Sequence, residues 1–396
     1  MSTGLDPARL DDAAAAEAAD PGGMLRQVAS SAAQVREAQR AAAEAGIAGL
    51  AEDGRPRAIV VAGMGGSGIS GDVLAAVCGV GCAVPVTTVR GYRLPGWVGA
   101  ADLVIAVSCS GKTEETLEVA AEAARRGCRL LFVGGTDSPL AELSARSRGV
   151  FVPVRSVGQP RSTLWGLTIP LVLAARTLGL ADVPDEVLES TAGRLEDVAY
   201  RCRPSSEPFV NPAKRMALDI VGDVPLVWGS SALAATAAYR MCCQLNENAK
   251  YPGVFGEVPE ADHNQVMAFD GHFGRRGGTP SSVPGGSNGS GASAGDDDLD
   301  DFFRDRADDP EHGLHLVLMR DLDEHPQVRK RCEASAEMAR GRGVAVTEIG
   351  AEGEHPLERI ATLIALADYV TVYLAIALGV DPTPVPAIQE LKARIA

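Results

Sequence analysis

Leu103-Val104-Ile105-Ala106-Val107-Ser108-Cys109-Ser110-Gly111-Lys112-Thr113-Glu114-Glu115-Thr116 decides how this chain is read. The apolar run Leu103 to Val107, rich in β-branched residues, suits a strand buried on both faces. Hydroxyls and a glycine end it, and Glu114 opens a helix-forming segment. A strand that turns into a helix in this way sets Ser108, Ser110 and Thr113 beside the free N–H groups of a first helical turn, a setting that holds a phosphate. Gly111 allows close backbone approach. Residues of the same types also serve as plain helix caps, so the rest of the chain has to decide between the two.

Outward from this stretch the same plan repeats. Ala58 to Ala62 is an expected strand leading through Gly63-Met64-Gly65-Gly66-Ser67-Gly68 into a helix that ends near Val77. Val84 to Val89, Arg129 to Val133 and Val150 to Val154 read as further strands, with a helix from Glu114 to about Arg126 between two of them. Short apolar strands alternating with helices predict a doubly wound parallel sheet, an α/β fold. A helix is expected from Met24 to Ala45, and two more, Thr163 to Leu178 and Asp185 to Ala199, carry the chain into a second half. There Val224 to Ser231 with a helix from Ala234 to Leu245, and His315 to Met319 with a helix from Gln327 to Arg340, copy the first plan, a weak internal repeat. The copy differs at its turn. Arg320-Asp321-Leu322-Asp323-Glu324 is acidic and lacks the hydroxyl set, so only the first half reads as a phosphate binder.

Composition narrows the classes of function. The 396 residues suffice for two domains with cores of their own, and 46% hydrophobic with 22% charged residues is ordinary globular content. A net charge of −15 argues against nucleic acid or an anionic membrane as partner, so an anionic substrate must be captured by local groups. No signal peptide and no apolar run of bilayer-spanning length is expected. The eight cysteines (Cys78, Cys82, Cys109, Cys128, Cys202, Cys242, Cys243 and Cys332) show neither zinc-site spacing nor a secreted disulfide framework, which points to the cytoplasm. Residues 1–22 are Ala/Asp-rich and expected to be flexible. Residues 274–312, Gly/Ser/Pro-rich and then acidic, read as a disordered insert.

Several residues have the chemistry for catalysis. Gly63 to Gly68 lacks the spacing and the following acidic residue of a dinucleotide fingerprint, and instead suits close approach to a sugar or its phosphate. Gln244-Leu245-Asn246-Glu247-Asn248-Ala249-Lys250 ends a helix where a doubly wound fold puts its ligand cleft. Glu247 there is either a general base tuned by its neighbours or a solvated helix-end carboxylate. His263, within Glu260-Ala261-Asp262-His263-Asn264-Gln265, is the histidine with polar company. No His/Asp/Glu spacing suggests a metal site.

Taken in order, Gly63-Met64-Gly65-Gly66-Ser67, Ser108-x-Ser110-Gly111-x-Thr113-Glu114-Glu115-Thr116, Pro160-Arg161, Asn246-Glu247-Asn248-x-Lys250 and His263-Asn264 resemble the bifunctional phosphoglucose/phosphomannose isomerase family, built from two sugar-isomerase (SIS) domains. The resemblance implies two flavodoxin-like SIS domains in tandem: a phosphate-binding one over 23–200 and a second over 201–396, interrupted by the insert. It implies cofactor-free interconversion of glucose 6-phosphate, and of mannose 6-phosphate, with fructose 6-phosphate through a cis-enediol. Gly66, Ser67, Ser108, Ser110 and Thr113 would bind the substrate and its phosphate, and Glu247 would move the proton between C1 and C2. Arg161 would stabilise the enediolate, and His263, reaching over from the partner subunit of a homodimer, would open the ring. Lys392, in Ile388-Gln389-Glu390-Leu391-Lys392, matches a family lysine near the substrate. Cys109 and Lys112 stand where the family carries an aromatic and an asparagine, and Gln265 where it carries a glutamate. A non-catalytic sugar-phosphate sensor would keep the hydroxyl turn without needing Glu247. An amino-sugar synthase fragment would need a glutaminase domain with a terminal cysteine, which the Met-Ser-Thr start does not offer.

Overall fold

The computed structural model describes residues 7–156, 158–274 and 313–395. Two parallel sheets carry the fold. The first is ordered β2-β1-β3-β4-β5, with β1 at Ile59–Ala62, β2 at Val86–Val89, β3 at Leu103–Ser108, β4 at Arg129–Gly134 and β5 at Val150–Pro153. The second is ordered β7-β6-β8-β9, with β6 at Val224–Gly229, β7 at Val254–Glu257, β8 at Leu314–Arg320 and β9 at Ala345–Gly350. The doubly wound parallel architecture read from the sequence is the one observed. Ile59 lies opposite Leu103 and Ala62 opposite Ala106, so β1 and β3 end nearly level. The strand order reverses between these two, and their carboxyl ends open the crevice in which doubly wound folds bind ligands.

Helices α1 (Ala13–Ala18), α2 (Met24–Ala29) and α3 (Ser31–Glu44) precede the first sheet. Three more, α4 (Gly66–Cys78), α5 (Glu114–Arg125) and α6 (Pro139–Ser147), connect its strands. Then α7 (Leu164–Thr177), α8 (Asp185–Arg201) and α9 (Pro212–Ile220) lead to the second sheet, around which lie α10 (Ala232–Gln244), α11 (Pro326–Gly341) and α12 (Pro356–Ala377). A last helix, α13, spans Pro386–Ile395.

The helix expected over 24–45 is broken at Ser30. The hydroxyls of Ser30 and Ser31 donate back to the carbonyls of Gln27 and Val28, both at 2.7 Å, a competition that bends helices. Residues 7–22 differ from the flexible segment expected of them. Leu10 is buried, the buried Lys214 ammonium donates to its carbonyl at 2.7 Å, and Asp20 accepts from Met24 N and Leu25 N, each at 2.8 Å, capping α2. The expected insert falls, apart from Gly274, outside the described residues.

Helix α12 corrects another expectation. By length and composition it could cross a membrane, and 94% of its apolar window is buried inside the protein. It is apolar on every side because it is the central helix of the core, packed on α8, α9 and α10. His355 caps its start and Glu358 completes a capping box. One continuous hydrophobic core runs from Leu10 to Ala377, so elements of both halves share it.

Candidate active site

The hydroxyl turn does not behave as a plain cap. Ser108, fully buried at the end of β3, hydrogen-bonds Thr113 between hydroxyls at 2.9 Å. Thr113 is the N-cap residue of α5, yet its side chain caps nothing, so the first-turn N–H groups stay open to a ligand. Ser110 is exposed and accepts from Lys112 N at 3.2 Å. Gly111 has φ +65°, and a Cβ there would lie 2.1 Å from Ser138 Oγ, so the turn needs glycine. In the first turn of α4, Ser67 accepts a long hydrogen bond from Cys109 N at 3.4 Å, which joins the two turns across the crevice. The Cys109 thiol is buried, and burial pushes its pKa up while contacts with Ser156 and Thr163 oppose that, so it stays protonated near neutrality.

Gly66, at the start of α4, packs beside the chain that carries the cation. A Cβ on Gly66 would lie 3.6 Å from the Arg161 Cα. Arg161 is 4% exposed, and its guanidinium is held almost entirely by neutral acceptors. Nε donates to Asn248 Oδ1 at 2.7 Å, Nη1 to Gln159 Oε1 at 3.2 Å, and Nη2 to the carbonyls of Pro382 and Thr383 at 2.7 and 2.9 Å. The Glu247 carboxylate stands 3.9 Å from Nη1. Burial lowers the Arg161 pKa, Glu247 raises it, and the nearby Arg240 lowers it further. A guanidinium orients well on neutral acceptors while much of its charge stays uncompensated, ready for a second anion.

Glu247 reaches this position because α10 does not simply stop. Leu245–Ala249 widens into a π-turn, a device found often at functional sites. The turn leaves Asn248 fully buried and Glu247 half-buried. Lys250 follows with φ +53° and gives its ammonium to the carbonyls of Glu247, Asn248 and Asp381 at 3.0, 3.2 and 2.9 Å. Lys250 is the cation nearest Glu247 in sequence, but the cation that faces the carboxylate is Arg161, the residue expected to stabilise the enediolate.

The structure therefore brings together Gly66, Ser67, Ser108, Thr113, Arg161 and Glu247, with Ser110 at the rim. The other two expected residues are not joined to this cluster by a hydrogen bond or ion pair. His263 is exposed on the turn Glu260–His263 and makes no hydrogen bond or ion pair with Arg161 or Glu247. Lys392 lies on α13, where no residue is buried. Gln159 and the Arg240–Asp368 pair behind the site were missed by sequence reasoning. Nothing in the local pattern marks them, since they act through contacts far apart in the chain. Among the described residues no group of three or more His, Cys, Asp or Glu side chains is placed to hold a metal ion.

The corresponding crevice of the second sheet is filled from within. Asp321, after β8, accepts from Ser231 Oγ at 2.9 Å, from Leu322 N at 2.8 Å and from Arg359 Nε at 2.8 Å, while its own N–H donates to Ser230 Oγ at 2.9 Å. The acidic turn thus does more than repel an anion: its carboxylate takes the place one would occupy.

Residues 209–395 match the family model for the bacterial phospho-glucose isomerase C-terminal SIS domain. The bifunctional phosphoglucose/phosphomannose isomerase of Caldicellulosiruptor bescii is 31% identical over 341 residues, 85% of this chain and 89% of that one. Its namesake from Aquifex aeolicus is 29% identical over 87% of this chain and 93% of its own length. Among solved structures, tagatose-6-phosphate ketose/aldose isomerase from Escherichia coli superposes with a TM-score of 0.65 at 13% identity, over 92% of this chain and 96% of the other, a likeness of fold. Nearly full-length similarity at this identity, on a fold shared with sugar-phosphate isomerases, places the chain in the bifunctional phosphoglucose/phosphomannose isomerase family.

Proposed function

We infer that this chain interconverts glucose 6-phosphate, and mannose 6-phosphate, with fructose 6-phosphate by moving a proton between C1 and C2 of the open-chain sugar. The observation that carries this reading is the half-buried Glu247 carboxylate 3.9 Å from a buried Arg161 whose other partners are neutral. A proton alpha to a carbonyl is only weakly acidic, so a carboxylate can take it only if the oxygen that gains charge is stabilised at once. In the proposed mechanism the phosphate sits on Ser67, Ser108, Ser110, Thr113 and the first turn of α5, with Gly66 leaving room for the sugar. Glu247 takes the C2 proton of the aldose and returns it to C1, while the O2 hydroxyl proton passes to O1, so that the carbonyl moves from C1 to C2. Arg161 holds the enediolate oxygen meanwhile. Binding through the remote phosphate fixes the reacting carbons between the two.

We further propose that the working form is a homodimer in which His263 of a second copy opens the sugar ring. Two observations support this. His263 is exposed and makes no hydrogen bond or ion pair with the Glu247 of its own chain. Ile388, Leu391 and Ile395 form an exposed apolar stripe on α13, 41%, 58% and 73% accessible, which one chain leaves uncovered. Lys392 joins the proposed site on its motif position alone.

The test is fructose 6-phosphate formation from each aldose, in EDTA, by wild type and Glu247→Gln. Activity on both aldoses is expected, with kcat lowered about 10²–10⁴-fold in the variant, the usual share of a general base. Wild type inactive on both, yet thermally stabilised by either sugar phosphate, would make the protein a non-catalytic binder. For the dimer, a mixture of the inactive variants Glu247→Gln and His263→Ala, unfolded and refolded together, should regain activity through one intact site per mixed dimer. No recovery would refute the shared site.

A further inference from the structure

We propose that Asp368 and Thr371 of α12 are positioning residues that aim Arg161 at the substrate; this rests on the isomerase reading above. The two are three residues apart on one face of the helix. Opposite them, Arg240 and Gln244 on α10, with Asn248 in its π-turn, follow at intervals of four, so all three face α12. Every member of the network is buried: Arg161 4% exposed, Arg240 1%, Asn248 0%, Asp368 5% and Thr371 0%.

Two arms lead from α12 to Arg161. In the first, Asp368 grips Arg240 by both oxygens, Nε at 2.9 Å and Nη2 at 2.7 Å, and Gln244 adds a longer contact at 3.3 Å. Arg240 Nη2 also donates to the backbone carbonyl of Arg161 at 2.9 Å, which fixes where the residue leaves the chain. Arg161 and Arg240 are both buried and the charge of Arg240 works against that of Arg161, so a carboxylate between α10 and α12 relieves the repulsion. Asp368 neutralises Arg240 and leaves the charge of Arg161 for the reaction.

The second arm sets the direction of the guanidinium through hydrogen-bond polarity. The Thr371 hydroxyl has one hydrogen, which goes to the Asp368 carbonyl at 2.9 Å. Toward Asn248, 3.0 Å away, it can therefore only accept, so the amide must present its NH₂ to Thr371. The amide oxygen is then turned to Arg161 Nε at 2.7 Å. Reversal of the amide would place an NH₂ against a guanidinium N–H. The Thr371 hydroxyl thus backs the amide orientation that accepts from Arg161 Nε, while Gln159 and the carbonyls of Pro382 and Thr383 hold Nη1 and Nη2.

The test uses Thr371→Val, which keeps the shape and removes the hydroxyl, and Thr371→Ser, which restores it. Expected for the valine variant is a 10- to 100-fold loss in kcat, about what a misaimed catalytic group costs, with KM for glucose 6-phosphate little changed. Serine should return kcat to near wild type. A second readout is independent of activity. In ¹⁵N-arginine spectra, the signal assigned to Arg161 Nε–H by its loss in Arg161→Lys should exchange slowly with solvent in wild type and serine variants and rapidly in the valine variant. If valine prevents folding, Thr371→Ala removes the hydroxyl without adding bulk and answers the same question. Should wild type isomerise neither aldose, the proposed function fails, and the Nε–H exchange still decides whether Thr371 orients Arg161. An active wild type with kcat and exchange unchanged in the valine variant refutes the positioning role alone.

Discussion

Replacing Gly111 by alanine tests the phosphate turn at the point where its geometry is least tolerant. The residue sits at φ +65°, where an L side chain costs about 1–2 kcal/mol. The added methyl would lie 2.1 Å from Ser138 Oγ, 2.4 Å from Ser138 Cβ and 3.2 Å from the Gly135 carbonyl, so Ser138 has to move. Ser138 is 3% exposed and caps α6 by accepting from Ala141 N at 3.3 Å while donating to Gly135 O at 2.7 Å. Losing that cap costs about 1 kcal/mol more, and relief of the clash by backbone shift adds to it, for a total near 2–4 kcal/mol. Urea unfolding of Gly111→Ala, Ser138→Gly and the double variant measures this directly. Glycine at 138 removes the atoms in the way at little capping cost, so the double variant should be more stable than the two single losses added together, by about 1 kcal/mol or more. In kinetics, KM for the hexose 6-phosphate should rise more than kcat falls, because the turn carries Ser110 and Thr113. An unchanged urea midpoint in Gly111→Ala, or strict additivity in the double variant, would refute the left-handed turn packed on Ser138.

Two further outcomes follow from buried charges. Asp321→Ala leaves Arg359, paired with it at 2.8 Å and 11% exposed, without its carboxylate; unfolding free energy should fall by about 3–5 kcal/mol, and an undiminished value would contradict the self-filled crevice. Asp102 is fully buried, and its hydrogen bonds to Arg57 hold its pKa below the usual carboxylate value against the opposing effect of burial. Its contribution is therefore present in full above the unfolded carboxylate pKa of about 4 and is lost as pH falls through the lower folded value. Denaturant titrations from pH 6 to pH 2 should show a shallower acid loss of stability in Asp102→Asn than in wild type, and equal slopes would exclude this role.

Parts of the molecule were plain in its residues because local physics governs them. β1 and β3 are continuous apolar runs ending in glycine or hydroxyls, and burial on both faces is what such runs encode. Other elements were hidden for equally local reasons. β9, at the sheet edge, is exposed at Ala345, Glu348 and Gly350 and buried only at Ile349, and β7 is exposed at three of its four positions, so neither carries a strong strand signal. α12, buried on all sides, has no amphipathic period to detect. The π-turn at Leu245–Ala249 has no sequence signature of its own, yet it sets the direction of Glu247.

The chain's own pattern of runs, turns and hydroxyls determined the parallel α/β architecture and the turn from Ser108 to Thr113, because strand burial and helix-start chemistry are written within a dozen neighbouring residues. Only the tertiary structure decided which cation meets Glu247, how Arg161 is held by Asn248 and two carbonyls from the segment after α12, and that Asp321 fills the second crevice. A buried polar group must find partners wherever packing supplies them, and for these residues packing draws them from distant parts of the chain.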